Sequence, residues 1–229
     1  MSFAAKSKFY DKYAIIQREI AEFTANFADV KPDGLWLDLG SGTGFAKNSI
    51  LNKFSNINVI SLDIALTDKI DICADFDFLP FVENSFDKII SCSALQWSKN
   101  IENLMVNIYN ILNKNGKLIL SFFENGTLEN LQEMQKKFGI IPQVLFYDKN
   151  YFENLAKKTG FEILAVENRT FSQKFSDGYS ALKSISKIGA SNHNGKFLSS
   201  KELKTFISQY GDDEIIHDYK TLFYILGKK

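Results

Sequence analysis

Residues 35–44 read LWLDLGSGTG. A short apolar run, Leu35 to Leu39, breaks straight into Gly40, Gly42 and Gly44. A run of this length bounded by glycines is the pattern of a strand buried on both faces, followed by a tight turn into a helix. The glycines are spaced G-x-G-x-G. A dinucleotide-binding turn wants its third glycine one residue later, where Phe45 stands, and a P-loop wants Gly-Lys-Ser/Thr, which this stretch lacks.

Outward from that turn the chain alternates. NVISLD reads as a second strand, DICAD as a third that ends in the turn-like FDFLPF, and FDKIISCS as a fourth. Ile101, Leu104, Met105, Ile108 and Leu112 mark a helix on the 3.6 period, stopped by NKNG. KLILSFF is the fifth strand. Thr127 is placed to cap a helix running to Phe138, and another helix spans roughly Asn150 to Gly160. FEILAVENRTFSQKF reads as a long strand region and EIIHDYKTLFYILG as the last strand. Upstream, Ile16, Ile20, Phe23 and Phe27 form an apolar stripe, so residues 9–28 are expected to form an amphipathic helix ended by KPDG. Strands alternating with helices imply an α/β fold whose parallel sheet is covered on both faces and binds ligands past the carboxyl ends of its strands. The helical stretch before the final strand, about 177–210, reads as an insertion beside the site. Residues 1–229 are expected to form a single domain.

The 229 residues carry no net charge, with 27 basic and 27 acidic side chains, so no whole-chain attraction toward nucleic acid is present. Cys73 and Cys92 lie in apolar segments without metal-ligand spacing and read as buried thiols of a reducing compartment. No metal site is expected. The first residues lack a signal-type apolar core and no run approaches ~18 apolar residues, so a cytoplasmic protein without membrane contact is expected.

Three strand ends carry groups suited to a nucleoside. After the glycine turn comes Asp63 at the end of the second strand; a carboxylate there accepts hydrogen bonds from both ribose hydroxyls. Asp75 ends the third strand and can accept from an adenine amino group. The plainer reading makes the glycines a turn and the aspartates ordinary strand ends, but the ordered set of three favours a nucleoside. The succession LWLDLGSGTG, VISLD, ADFDFLPF and FDKIISCSALQW resembles the class I S-adenosylmethionine-dependent methyltransferases, over about the first 125 residues. That resemblance implies a Rossmann-like sheet with its last strand antiparallel. It implies S-adenosylmethionine as cofactor, with Asp38, Gly40, Gly42 and Gly44 around its methionine end, Asp63 on the ribose, Asp75 and Phe76 at the adenine, and Ser91 nearby.

The stretch SCSALQW, residues 91–97, ends the fourth strand without an acid, base or charge. A carboxylate acceptor, with a reference pKa of about 4, needs no base, whereas an amine or phenol gains from one. His193 and His217 lie far down the chain and read as structural or exposed. SALQW resembles two carboxyl methyltransferase families, those acting on trans-aconitate and the malonyl-[acyl-carrier protein] O-methyltransferases of biotin synthesis. FYDKYAIIQREIAE, LSFFENGTLENLQEM and ALKSISKIGASNHNGKFLSSKELKTF resemble the second. This implies methylation of the free carboxyl of malonyl-acyl carrier protein or malonyl-CoA, with Tyr10, Gln17 and Trp97 on the acceptor side as positioning groups and Arg18 near the lid. Lys183, Lys187, Lys196, Lys201 and Lys204 form a local basic patch, read either as a docking site for an acidic carrier protein or as a solvated helix face. A methyltransferase for a free small acid, a binding protein that keeps the pocket without catalysis, and a nucleic-acid methyltransferase remain the competing readings.

Overall fold

The computed structural model describes residues 10–140, 144, 146–188, 198–211 and 213–229. Helix α1 (Ile15–Phe27) precedes β1 (Leu35–Leu39), and the chain continues through α2 (Phe45–Lys53), β2 (Asn58–Asp63), β3 (Ile72–Cys73), β4 (Phe86–Cys92) and α3 (Ile101–Ile111). Then come β5 (Leu112–Phe123), α4 (Glu129–Lys137), α5 (Lys149–Thr159), β6 (Phe161–Phe175), α6 (Gly178–Lys187), α7 (Ser200–Tyr210) and β7 (Ile215–Lys228). The seven strands form one sheet in the order β3-β2-β1-β4-β5-β7-β6. Strands β3, β2, β1, β4 and β5 are parallel neighbours, and β7 runs antiparallel between β5 and β6. This is the mostly parallel sheet with an antiparallel last strand that the family resemblance implied.

Successive residues of a strand point to opposite faces, and here both faces are covered. Leu37, Ile89, Leu118 and Leu120 join the α3 and α5 side chains Leu104, Met105, Ile108, Phe152 and Leu155 on one side. Trp36, Ile90 and Ile119 meet Ala25 of α1 and Ile50 of α2 on the other. A third apolar cluster ties the cover of the sheet's carboxyl end together: Ile16 and Ile20, Leu131 and Met134, Ala181 and Ile185, and Phe206 all pack with Phe123, Tyr219 and Phe223. Within α7 and β7, the Tyr210 hydroxyl lies 2.7 Å from His217 Nε2. His217 is buried, which holds its ring well below the usual imidazole range, at about 4. It therefore serves packing in its neutral form.

Two local expectations give way, and a third holds with an added detail. The N-terminal helix does not run unbroken over residues 9–28: a helical turn at 10–13 is separated at Ala14 from α1, and Phe9 lies outside the described residues. Thr127 does not cap α4; its hydroxyl donates to the Lys220 carbonyl 2.9 Å away, and the cap position falls to Leu128, which adopts a left-handed φ of 53°. The acceptor, Lys220, belongs to β7, so the hydroxyl ties the loop to the sheet and not to the helix. The NKNG segment does end α3, but it bulges out within β5, where the partner of Phe86 is Leu112 and that of Lys88 is Lys117. His193 and Lys196 lie outside the described residues.

Candidate active site

The strand order reverses between β1 and β4: from β1 the chain first builds outward to β2 and β3, then returns to β4. At such a point the loops leaving the strands diverge and open a crevice. A cavity of about 430 Å³ lies there, walled by residues following β1, β2, β3, β4 and β5 and covered by α1, α4 and α6.

The glycine turn forms its first wall. Gly40, Gly42 and Gly44 have φ of 73°, 56° and 87°, a region that costs side-chain-bearing residues. Gly40 is doubly required, since a Cβ there would stand 2.5 Å from the Ala94 Cβ. The Gly40 and Ser41 N–H groups donate to the Leu62 carbonyl, at 2.9 and 3.0 Å. Asp63 then fixes the floor. Its Oδ2 accepts from the Gly42 N–H and its Oδ1 from the Ala65 N–H, both at 2.8 Å. Each carboxylate oxygen has a second lone pair, so an anchored Asp63 still offers two acceptors. Asp38 is fully buried and accepts from the Lys47 N–H at 3.0 Å. Burial pushes its carboxyl up to about 7, against the Lys47 contact that pulls the other way.

The exit of β3 supplies the opposite end. Asp75 Oδ1 accepts from the Asp77 N–H at 3.0 Å, which turns Phe76 over the cavity, and Oδ2 is 3.4 Å from Lys99 Nζ. Asp77 accepts from the Ser98 hydroxyl and the Lys99 N–H, so the segment after β4 is drawn across toward β3. Ser93 begins that turn with a left-handed φ of 51°. In consequence SCSALQW is a wall: Cys92, Ser93, Ala94, Gln96 and Trp97 all face the cavity. Its one ionisable group, the Cys92 thiol, is pushed up to about 12 by burial.

Several buried polar atoms on these walls have no partner: Ser41 Oγ, Thr43 Oγ1, Ser93 Oγ and Gln96 Oε1. Buried polar atoms are normally paired, so a cluster of orphans around one cavity fits a polar ligand. Asp63 and Asp75 suit ribose hydroxyls and an exocyclic amine, the hydroxyls suit an amino-acid end, and no phosphate-binding lysine is needed. The residues therefore fit S-adenosylmethionine.

Of the residues assigned to the cofactor from sequence, Gly40, Gly42, Asp63, Asp75 and Phe76 line the cavity. Gly44 does not; it caps α2 in a left-handed conformation. Asp38 stands behind the turn. Ser91 is corrected: fully buried, it donates to the Leu39 carbonyl at 2.8 Å and joins β4 to β1. Its hydroxyl is spent inside the sheet, before the strand ends at Cys92.

Tyr10, Gln17 and Trp97 also face the cavity. The Tyr10 ring lies 6.0 Å from that of Phe45, and burial together with the Asp63 charge pushes its phenol up. It closes over the cofactor end. Trp97 is at the rim, 41% exposed, one residue from the Ser98 anchor on Asp77. Arg18 is not a wall residue; it donates to the Asp11 carbonyl at 3.0 Å and lies over the Phe45 ring.

Neighbouring strands are about 4.8 Å apart, so the end of β5 lies roughly 14 Å along the sheet edge from Asp63. There the cavity is walled by Phe123, Leu128, Leu131, Gln132, Gln135, Phe146, Ile185, Ile188 and Tyr219. None of these was singled out in the sequence, although Leu128, Leu131, Gln132 and Gln135 fall on one helical face. The walls at this end carry no charged side chain among the described residues, and burial pushes the Tyr219 phenol up.

Residues 37–120, from β1 into β5, match the family model described as a methyltransferase domain. The chain is similar to a malonyl-[acyl-carrier protein] O-methyltransferase of Halorhodospira halophila, 26% identical over 83% of this chain and 70% of that protein. It is likewise similar to malonyl-[acyl-carrier protein] O-methyltransferase 2 of Ilyobacter polytropus, 29% identical over 99% of this chain and 96% of that one. In fold it resembles a protein from Bacillus halodurans assigned as a methyltransferase, with a TM-score of 0.66 at 13% identity, over 92% of this chain and 99% of that chain. Strand order, the domain match and a cavity fitted to a nucleoside-bearing sulfonium converge on one conclusion. The chain has the class I fold, and residues 37–120 form a methyltransferase domain with S-adenosylmethionine as its cofactor.

Proposed function

We propose that this methyltransferase acts on the free carboxylate of a malonyl thioester, malonyl-acyl carrier protein or malonyl-CoA, giving the methyl ester from which pimeloyl synthesis for biotin begins. The observation that carries the reading is the acceptor end of the cavity, uncharged and, among the described residues, without a group to remove a proton. S-adenosylmethionine supplies an electrophilic methyl group on a positively charged sulfur. An acceptor meeting it in this chamber must bring its own negative charge, and a carboxylate does so at neutral pH. The protein's work is then orientation and exclusion of water. Asp63 and Asp75 fix the nucleoside, Tyr10 and Phe45 cover it, and Phe123, Leu131, Phe146 and Ile185 keep the acceptor end dry. The names of the Halorhodospira and Ilyobacter relatives support the same acceptor.

A carrier-protein substrate is acidic. Lys183, Lys201 and Lys204 are exposed and Lys187 is half-buried on α6 and α7, while Ile185 of α6 lines the chamber. A carrier docked on this outer face delivers its thioester beside the chamber, and the charge steers the encounter. The test is methyl transfer from labelled S-adenosylmethionine to malonyl-acyl carrier protein, malonyl-CoA and trans-aconitate in parallel. Methyl ester on the malonyl thioesters is expected. Turnover on trans-aconitate alone overturns the proposal in favour of a free small acid.

A further inference from the structure

We infer that Gln135, assisted by Gln132, is the specificity-determining group that grips the acceptor carboxylate, so that the anion is held by neutral amides and not by a cation. The inference rests on the acceptor reading above. Helix α4 presents Leu128, Leu131, Gln132 and Gln135 to the cavity, spaced i, i+3, i+4 and i+7 on one face. Its charged residues, Glu129, Glu133, Lys136 and Lys137, are all exposed. Lys, Glu and Gln serve a helix about equally well, so propensity does not explain why only the uncharged pair turns inward. Gln132 Nε2 donates to the Thr127 carbonyl, which fixes its side chain and leaves its second N–H for a ligand. The Gln135 amide makes no hydrogen bond among the described residues and is half-buried beside Leu131. Phe146, Ile185 and Ile188 surround this end, and in so apolar a chamber an amide–carboxylate hydrogen bond is strengthened.

The chemistry favours amides. A lysine or arginine at this point would pair with the carboxylate and stabilise the substrate more than the transition state, in which its charge is being spent. It would also stand near the positive sulfonium. An amide orients the oxygen and leaves most of its charge for the reaction.

The test compares wild type with Gln135→Leu and the isosteric Gln135→Glu, each checked by thermal melting. KM and kcat are measured for malonyl-CoA, together with the inhibition constant of acetyl-CoA, which lacks the carboxylate, and the dissociation constant of S-adenosylhomocysteine. Gln135→Leu is expected to raise KM about tenfold, the loss of one hydrogen bond to a charged group, and Gln135→Glu to raise it further by like-charge repulsion. Acetyl-CoA inhibition and S-adenosylhomocysteine binding stay within about twofold. Active variants with an unchanged malonyl KM overturn the assignment of Gln135 alone, as does an equal loss for acetyl-CoA. A wild-type enzyme that esterifies no malonyl thioester overturns the acceptor reading, and this inference with it.

Discussion

Replacing Asp63 by asparagine tests the cofactor end most directly. In the free protein Asp63 Oδ2 holds the Gly42 N–H and Oδ1 the Ala65 N–H, both at 2.8 Å. Asparagine keeps the shape but has one acceptor oxygen, so its amide nitrogen must face one of these two N–H groups. One hydrogen bond to a charged acceptor is lost and a buried donor is left unpaired, and the side chain is 8% exposed, so water offers little relief. The amide nitrogen also removes an acceptor for the ribose. Together these cost about 3 kcal/mol, a factor of roughly 150 in affinity. The assay is calorimetric titration of wild type and Asp63→Asn with S-adenosylhomocysteine, beside a thermal melt. The variant should fold and bind about two orders of magnitude more weakly. Binding within threefold of wild type would refute the claim that Asp63 both orders the glycine turn and holds the ribose.

Other predictions concern separate parts of the molecule. Gly40→Ala forces a Cβ to 2.5 Å from that of Ala94 at a φ of 73°, so S-adenosylhomocysteine binding should be lost. Adding Ala94→Gly should restore part of it, because the contact is relieved and only the backbone cost of about 1–2 kcal/mol remains. Reversing Lys183, Lys201 and Lys204 to Glu should raise KM for malonyl-acyl carrier protein and leave malonyl-CoA nearly unchanged; equal loss on both would remove the docking face. His217 titrates at about 4 when folded, against 6.5 for the free side chain. The unfolded chain therefore binds the extra proton first, and His217 contributes stability that is present above pH 6.5 and is lost as pH falls toward 4, by up to about 3 kcal/mol. Chemical denaturation of wild type and His217→Gln across that window should show their difference in stability changing by this amount, and a constant difference would contradict it.

The cofactor half was legible because it is written locally. Each strand end is a short apolar run followed by its functional residue, and period-two alternation fixes which side a residue takes. Gly40, Gly42, Asp63, Asp75 and Phe76 meet in the cavity because their strands lie adjacent. Ser91, assigned to the cofactor from sequence, turns into the sheet, while Ser93, which was not singled out, faces the cavity beyond the strand end. Thr127 likewise carried a cap signal, but the neighbouring β7 claimed its hydroxyl.

The sequence by itself determined the strand–helix alternation, the parallel sheet and the glycine turn with its two aspartates; the antiparallel last strand came from the family resemblance. The first three follow from periodicity and from backbone conformations that only glycine takes without cost. Tertiary structure alone decided the walls of the cavity beyond β5. The Gln132 and Gln135 amides look like ordinary helix-surface residues until α4 packs across the mouth of β5, and Tyr10 becomes a cover for the cofactor end only when its turn meets Phe45. A helix has one periodicity but several neighbours, and which face meets a cavity is set by contacts distant in sequence.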